Sequence, residues 1–172
     1  MAGYIQVYTG EGKGKTTAAL GLAVRAAGAN WNVFFGQFCK GMRTSELAAL
    51  QERFADRITI HQFGMPRFIM GAPQEEDIDL ARRGLAEARD AVTSGKYSLV
   101  VLDEANVAIK LKLFSVEDML SLIDAKLPEV ELVLTGRDAH PRIVERADLV
   151  TEMVLVKHYF QQGVAARKGI EK

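Results

Sequence analysis

The fold is decided by the stretch Thr9-Gly10-Glu11-Gly12-Lys13-Gly14-Lys15-Thr16-Thr17. It follows a predicted strand, Tyr4–Thr9, and opens a helical pattern. Glycines let backbone N–H groups turn inward around an anion, and a helix start adds free N–H groups and a positive dipole end. The stretch predicts a phosphate-binding loop in which Lys15 contacts phosphate oxygens and the Thr16 hydroxyl ligates Mg²⁺. The alternative, a glycine-rich turn beside surface lysines, is disfavoured by the position between strand and helix.

The spacing of this loop departs from the general pattern. That pattern has four residues between its first glycine and the Gly-Lys pair. Here Thr9 stands where the first glycine would be, and Gly10 comes one residue late. The loop is therefore non-standard, and its spacing gives no reason to place ATP as it lies in a common ATPase.

Strand-like and helix-like segments alternate along the rest of the chain. Further strands are predicted at Val33–Phe38, Ile58–Phe63, Leu99–Leu102, Leu132–Thr135 and Leu149–Val156, and helices at Ser45–Arg53, from about residue 73 to 93, after a Ser115–Asp118 capping box, and at Pro141–Arg146. This alternation predicts a doubly wound, mainly parallel sheet flanked by helices. We expect one α/β domain over residues 1–172, phosphate-loop NTPase-like (RecA-like), with ligands at the carboxyl ends of its strands.

Two carboxylates, Asp103 and Glu104, end the apolar strand that begins at Leu99. Magnesium prefers oxygen ligands and keeps several waters, so a carboxylate at this strand end suits a metal bound to a nucleotide. We predict that Thr16, Asp103 and Glu104 hold Mg²⁺ or Mn²⁺, with one carboxylate in contact with the metal because neighbours point different ways. The alternative is a pair of acids that stabilise the start of a helix.

The composition narrows the classes of function. The 172 residues carry 22 basic and 22 acidic side chains, so the basic surplus of a general nucleic-acid binder is missing. One cysteine, Cys39, excludes a disulfide within the chain and a zinc site of several thiolates. No apolar stretch is long enough to cross a membrane, and the N-terminus does not resemble a signal peptide. We therefore expect a cytoplasmic protein without nucleic-acid or membrane partners.

The loop and several later strings resemble one family, the ATP:corrinoid adenosyltransferases of phosphate-loop type, also called cob(I)yrinic acid a,c-diamide adenosyltransferases. The resemblance covers nearly the whole chain, and the shortened loop with its extra lysine is its most specific element. The later strings are Gln37-Phe38-Cys39-Lys40-Gly41, Val101-Leu102-Asp103-Glu104, Leu134-Thr135-Gly136-Arg137, Ala147-Asp148-Leu149-Val150-Thr151-Glu152, Val156-Lys157-His158 and Lys168-Gly169-Ile170-Glu171.

The resemblance implies a reaction. A corrinoid reduced to Co(I), with its cobalt as nucleophile, attacks the 5′ carbon of ATP, and triphosphate leaves. In the family, ATP is understood to lie in the loop in the reverse sense to common ATPases, which leaves that carbon exposed to the corrinoid. Lys15, the metal and the loop amides would stabilise the charge on the leaving oxygen. The catalytic residues would be Lys15 and Glu104, with Glu104 as a ligand of the metal. The resemblance also implies a reductase that supplies Co(I), and a homodimer.

The segment after the third predicted strand, which we call the predicted corrinoid loop, departs from the family pattern. Some members carry a Gly-Phe-Thr-Trp string after the third strand, and here the matching stretch is Gly64-Met65-Pro66-Arg67-Phe68. We predict corrinoid contacts from Gly64, Met65, Arg67 and Phe68. Some members also have an N-terminal helical extension, which this chain almost lacks, so we expect the site to be closed by another part of the protein.

Two strand ends supply further candidates for ATP binding, Gln37 and Arg137, because they face the ligand edge of the sheet. Two other functions stay open on the residues alone. One is a RecA-like ATPase or kinase in which Glu104 activates a water or hydroxyl, and the other is a non-catalytic ATP sensor. A zinc-lasso thymidine kinase needs more cysteines than this chain has.

Overall fold

The computed structural model describes residues 2–42 and 44–171, and within them six strands form one sheet. All five neighbouring pairs are parallel, in the order β3-β2-β4-β5-β1-β6. The strands are β1 (Ile5–Thr9), β2 (Val33–Phe38), β3 (Ile58–Phe63), β4 (Leu99–Asp103), β5 (Glu131–Thr135) and β6 (Leu149–Glu152). The predicted mainly parallel, doubly wound sheet is confirmed. The strand β5 lies between the loop strand β1 and the acidic strand β4.

Helices cover both faces of this sheet. They are α1 (Lys15–Gly28), α2 (Ser45–Arg53), α3 (Glu75–Thr93), α4 (Ala105–Lys110), α5 (Val116–Ala125) and α6 (Pro141–Arg146), with a 3-10 helix at Tyr159–Gln162. Apolar residues of α1 and α2 pack on one face, and those of α3 to α6 pack on the other. The predicted Ser115–Asp118 capping box opens α5, where the Asp118 N–H donates to the Ser115 hydroxyl.

The central strand β4 has an apolar sequence because helices cover both of its faces. Leu99 and Val101 belong to the core beneath α1, whereas Val100 and Leu102 belong to the core beneath α3 and α5. Alternate side chains of a strand point to opposite faces, so a strand covered on both faces is apolar throughout. The polar residues begin where β4 reaches the carboxyl edge, and this places Asp103 and Glu104 at the ligand edge of the sheet.

Two local features differ from the sequence-based expectation. The last strand was predicted to reach Val156, and this is wrong, because β6 ends at Glu152. The chain there crosses the phosphate loop, and the Met153 carbonyl accepts a hydrogen bond from the Gly12 N–H at 2.6 Å. The short helix α4 was not predicted. Among the described helices, none is both long enough and apolar enough to cross a bilayer.

Candidate active site

The phosphate loop connects β1 to α1 in the predicted position. Gly10 and Gly14 have φ angles of 94° and 122°, a region that favours glycine. A Cβ on Gly12 would lie 2.6 Å from the Met153 carbonyl oxygen, so this position also needs a residue without a side chain. The loop therefore keeps its backbone close to the crossing chain.

Lys15 lies buried beneath this loop. Its ammonium donates to the carbonyl oxygens of Gly10 and Gly12, at 2.6 and 2.7 Å. Burial lowers the pKa of Lys15 below its ordinary value. The loop carbonyls thus hold the ammonium beside the space that the loop encloses.

Asp103 is fully buried and accepts four hydrogen bonds. Its Oδ1 accepts from the hydroxyls of Thr16 at 2.9 Å and Thr135 at 2.6 Å. Its Oδ2 accepts from the Gln37 amide at 3.1 Å and the Lys40 ammonium at 2.7 Å. Four donors from three different segments of the chain hold one carboxylate in place. Asp103 is therefore the structural centre of the strand ends.

Glu104 has a different environment from its neighbour. Its φ of 58° turns the chain left-handed, and its N–H donates to the Thr135 hydroxyl at 3.1 Å. Its side chain is 24% exposed and faces a cavity. Burial, and then the charge of Asp103, raise the pKa of Glu104 above its ordinary value. The carboxylate that can reach a ligand is thus Glu104.

A second non-glycine residue, Cys39, has a left-handed backbone at the end of the neighbouring strand β2, with φ 57°. Such conformations cost energy and concentrate at functional sites. Burial raises the pKa of the Cys39 thiol to about 12, so the thiol stays protonated at neutral pH. Cys39 lines the cavity as a neutral group.

The Lys40 ammonium lies among the oxygens that were predicted to hold a metal. It is 2.7 Å from Asp103 Oδ2, 3.2 Å from Thr16 Oγ1 and 3.9 Å from Glu104 Oε1. Burial lowers the pKa of Lys40, but the charges of Asp103 and Glu104 outweigh burial and leave its pKa above the ordinary value. These oxygens therefore suit a cation. Within the described ranges no group of three or more His, Cys, Asp or Glu could hold a metal, so a metal here would take its other ligands from water and phosphate.

One cavity of about 930 Å³ opens at this edge of the sheet. Both predicted clusters line it: the loop residues Glu11 to Thr17, and Met65, Arg67 and Phe68 from the segment after β3. Glu104 and Arg137 also line it. Gly10, Gln37, Gly64 and Asp103 are not among its described lining residues. The structure thus brings the phosphate loop and the predicted corrinoid loop to one space.

Two of the predicted site residues lie behind the cavity wall. Gln37 is buried and donates to Asp103, while its own amide oxygen accepts from Gln62 at 3.1 Å. Its contact with ATP stays a prediction. Gly64 lies against the backbone after β2, and a Cβ there would lie 2.4 Å from the backbone nitrogen of Lys40. Both residues support neighbours that do line the cavity.

The segment after β3 is exposed at its tip and anchored at its base. Phe68 is 77% exposed. Arg67 donates to Gln74 at 2.7 Å and to the buried Asp77 at 3.0 Å, at the start of α3. Arg67 therefore ties this loop to the helix that follows it.

The end of the chain contributes cavity residues that sequence reasoning missed. The Lys13 ammonium donates to the Tyr159 hydroxyl at 3.2 Å, to the Ile170 carbonyl at 3.1 Å and to the Glu171 carboxylate at 2.9 Å. Ile170 and Glu171 line the cavity, as does His158. The only signal in the sequence was the match of the C-terminal strings to the family. Binding of ATP by Lys13 stays a prediction.

The fold is shared with a solved structure. The flagellar accessory protein FlaH from Methanocaldococcus jannaschii matches with a TM-score of 0.61 and 11% sequence identity, over 88% of this chain and 71% of that chain. This likeness concerns the fold alone. Together with the all-parallel sheet and the glycine-rich loop at the end of β1, it confirms the predicted RecA-like α/β fold.

Sequence comparison identifies the family. The family model for ATP:corrinoid adenosyltransferase BtuR/CobO/CobP matches residues 1–171. A corrinoid adenosyltransferase from Pseudomonas aeruginosa is 36% identical over 169 residues, which cover 98% of this chain and 83% of the relative. Those from Sinorhizobium sp and Escherichia coli K12 are 33% and 32% identical, each over 98% of this chain and over 80% and 85% of the relative. The chain belongs to the ATP:corrinoid adenosyltransferase family.

The predicted class of enzyme is confirmed by this membership. The protein is a transferase that moves an adenosyl group to a corrinoid.

Proposed function

We propose that the protein transfers the 5′-deoxyadenosyl group of ATP to the Co(I) of a reduced corrinoid, either cob(I)alamin or cob(I)yrinic acid a,c-diamide, and releases triphosphate. One observation carries this proposal: the phosphate loop and the Met65–Phe68 segment line the same cavity. A nucleotide whose triphosphate lies in the loop can then present its ribose to a corrinoid held at the other wall.

The proposed reaction needs no nucleophile from the protein. The electron pair on Co(I) forms the cobalt–carbon bond at the 5′ carbon, and the carbon–oxygen bond breaks with its electron pair on the triphosphate. Negative charge therefore develops on the leaving oxygen. ATP lying in the reverse sense to common ATPases places that oxygen over the loop and the 5′ carbon toward the corrinoid.

The residues of the phosphate loop stabilise the negative charge that develops on the leaving oxygen. The N–H groups of Gly14, Thr16 and Thr17 lie at the start of α1, where they can donate to phosphate oxygens. Lys15 needs only to exchange its two loop carbonyls for phosphate oxygens, and its burial strengthens the attraction. Glu11 and Arg137, which pair at 3.1 Å on the rim, are further proposed ATP contacts. Gly10, Lys13 and Gln37 complete the proposed set.

Magnesium or manganese is the proposed metal, held by Thr16 and Glu104 with Asp103 behind them. When bound, it would add positive charge beside the leaving triphosphate. The oxygens of Asp103, Thr16 and Glu104 surround the Lys40 ammonium, and this ability to hold a cation supports the assignment.

The products test the proposal. Phosphorus NMR of a single turnover with chemically reduced corrinoid should give triphosphate and adenosylcorrinoid in equal amounts. ADP that appears in step with corrinoid consumption, with no triphosphate at any time, would contradict it. Two further measurements separate the alternative functions. Phosphate release from ATP without corrinoid indicates a hydrolase, and ATP binding with no change in the visible spectrum of the reduced corrinoid indicates a sensor.

The corrinoid wall has its own test. Changing both Met65 and Phe68 to Ser removes the apolar cover that each offers to a corrinoid ring, and it leaves the phosphate loop intact. We expect weaker corrinoid binding and unchanged ATP binding, each measured by titration. An unchanged corrinoid affinity would place the corrinoid elsewhere.

A homodimer is proposed on the exposed edge of the sheet. In the described structure β6 pairs with β1 on one side only, and Leu149, Val150, Val154 and Val156 are all exposed nearby. An open strand edge with apolar neighbours favours pairing with another copy. Light scattering should give the mass of two chains, and Val150→Lys should reduce it to one.

A reductase is the remaining proposed partner, because cobalt must reach Co(I) before it can attack. The cytoplasm stays the proposed compartment, since a reducing environment suits both Co(I) and a free Cys39 thiol.

A further inference from the structure

Lys40 occupies the centre of the proposed metal site. It follows β2 by two residues, and the register that pairs Gln37 with Asp103 brings it to the acidic end of β4. Its ammonium contacts Asp103 and Thr16 and lies 3.9 Å from Glu104. These are the three residues that the proposed function assigns to the metal.

The ammonium and a divalent metal cannot use these oxygens together. Magnesium binds oxygen at about 2.0–2.1 Å and requires a nearly octahedral set of ligands. An ammonium 2.7 Å from Asp103 and 3.2 Å from Thr16 fills the same space. A charge of +1 within a few ångströms of a charge of +2 would also cost several kcal/mol, even at an effective dielectric of about 20.

Lys40 is able to move away. Its side chain is 30% exposed, and it lines the cavity beside the phosphate loop. A lysine has a flexible four-carbon stem, and its ammonium can bind phosphate oxygens as well as carboxylates. By contrast, Lys15 is held by the carbonyls of Gly10 and Gly12 and is more deeply buried. The cavity therefore offers Lys40 a second place, next to a bound triphosphate.

We propose that Lys40 is a resident cation that keeps free divalent metal out of the nucleotide-free enzyme and moves onto the triphosphate when metal and ATP enter together. This inference rests on the metal site of the proposed function. The enzyme then loads the metal with its nucleotide rather than before it. Asp103, which is buried, keeps a positive partner in both states.

Manganese binding tests this role without any turnover. Wild-type protein alone should show no saturable Mn²⁺ binding, measured by loss of the electron paramagnetic resonance signal of free Mn²⁺. With ATP it should hold one Mn²⁺ per chain beyond the Mn²⁺–ATP complex of the same solution without protein, measured by equilibrium dialysis. Lys40→Gln removes the positive charge, and it should bind Mn²⁺ saturably without ATP, at least about tenfold more tightly than the weakest binding that the titration of wild type would detect. The matched control is Lys110→Gln, whose ammonium pairs with Asp138 at 2.6 Å on the surface, and it should behave as wild type.

Thermal unfolding gives a second measurement on the same proteins. Added Mn²⁺ without ATP should raise the Tm of Lys40→Gln but not that of wild type, because ligands that bind only the folded state stabilise it. Two outcomes overturn the inference in different ways. Wild-type protein that binds Mn²⁺ equally with and without ATP would refute the role of Lys40 alone. Wild-type protein that binds no Mn²⁺ even with ATP would refute the metal site as well, and neither result depends on a variant that folds.

Discussion

Asp103 and Glu104 are adjacent residues with different physical roles. Asp103 is buried and holds four donors, whereas Glu104 turns left-handed and faces the cavity. A strand ending in two carboxylates predicted that only one of them contacts a metal. Glu104 is the one that faces the cavity, because its left-handed backbone changes the direction of the chain.

Substitution should separate these roles. Asp103→Asn leaves Lys40 without its carboxylate and sets an amide N–H₂ among other donors. We expect the free energy of unfolding to fall by about 2–4 kcal/mol. This is near the lower end of the range for breaking a buried ion pair, because the side chain of Lys40 is partly exposed. Glu104→Gln should change stability by less than about 1 kcal/mol. Urea denaturation measures both, and equal midpoints would contradict the distinction.

The dependence of turnover on Mg²⁺ tests the two proposed metal ligands Glu104 and Thr16. Glu104→Gln and Thr16→Ala should each raise the Mg²⁺ concentration needed for half-maximal turnover, since each removes a proposed ligand. If neither variant alters the metal dependence, the metal is bound elsewhere.

Lys15 should matter mainly for the rate. Lys15→Ala removes the charge that would stabilise the leaving triphosphate, and loss of one such interaction costs about a hundred- to thousandfold. The formation of alkylcobalt, followed by its visible spectrum at saturating substrates, measures this rate. Lys110→Ala is the control, because Lys110 is an exposed lysine that does not line the cavity. Near-normal turnover in Lys15→Ala would contradict the phosphate-loop assignment.

At the scale of elements, α3 lies close to the sheet because the side chains on its contact face are small. Gly84 of α3 packs on Phe63, the last residue of β3, and a Cβ there would lie 2.3 Å from the ring carbon Cγ. Phe63 directly precedes the proposed corrinoid loop. The position of that loop therefore depends on a glycine in the following helix.

Two helical glycines offer a matched comparison. Gly84→Ala must displace Phe63, and we expect it to cost about 1–3 kcal/mol of stability, as overpacking does. Gly21→Ala in α1 meets nothing within 4 Å and should gain about 0.5–1 kcal/mol through helix propensity. Urea denaturation compares them, and stabilisation by both substitutions would show that α3 can move away from the sheet.

The elements themselves could be predicted well, and the exceptions have physical reasons. Apolar runs and turn residues predicted all six strands, because such patterns reflect burial on the two faces of a sheet. The end of β6 was missed since Met153 bonds to Gly12, a residue far away in the chain. The short α4 follows a left-handed Glu104, and no local pattern signals that turn.

At the scale of the whole molecule, the site depends on contacts between distant parts of the chain. Residue types and spacing predicted Lys15, Thr16 and the acidic pair. They could not predict that Lys40 reaches Asp103, since that contact requires the strand order that sets β2 beside β4. Nor could they predict that Lys13 binds Glu171, which lies at the opposite end of the chain.

The contact between Lys13 and the C-terminal segment should hold that segment in place. Arg167, Tyr159 and Lys13 all bind Glu171, and together they lower the pKa of its carboxyl far below the ordinary value. Lys13→Ala removes the link to the loop, so we expect trypsin to cleave after Arg167 and Lys168 several-fold faster. Lys110→Ala is the control, and equal cleavage rates in all three proteins would contradict this anchoring.

The two ends of the described chain leave the molecule on opposite sides. Gly3 donates to the Pro128 carbonyl at the amino edge of the sheet, whereas Ile170 and Glu171 border the cavity. An affinity tag or surface linker joined after residue 171 would thus emerge beside the entrance of the cavity that is proposed to admit the corrinoid. The same attachment before residue 3 leaves that entrance clear, so immobilised or fused forms of the enzyme are better built from the amino end.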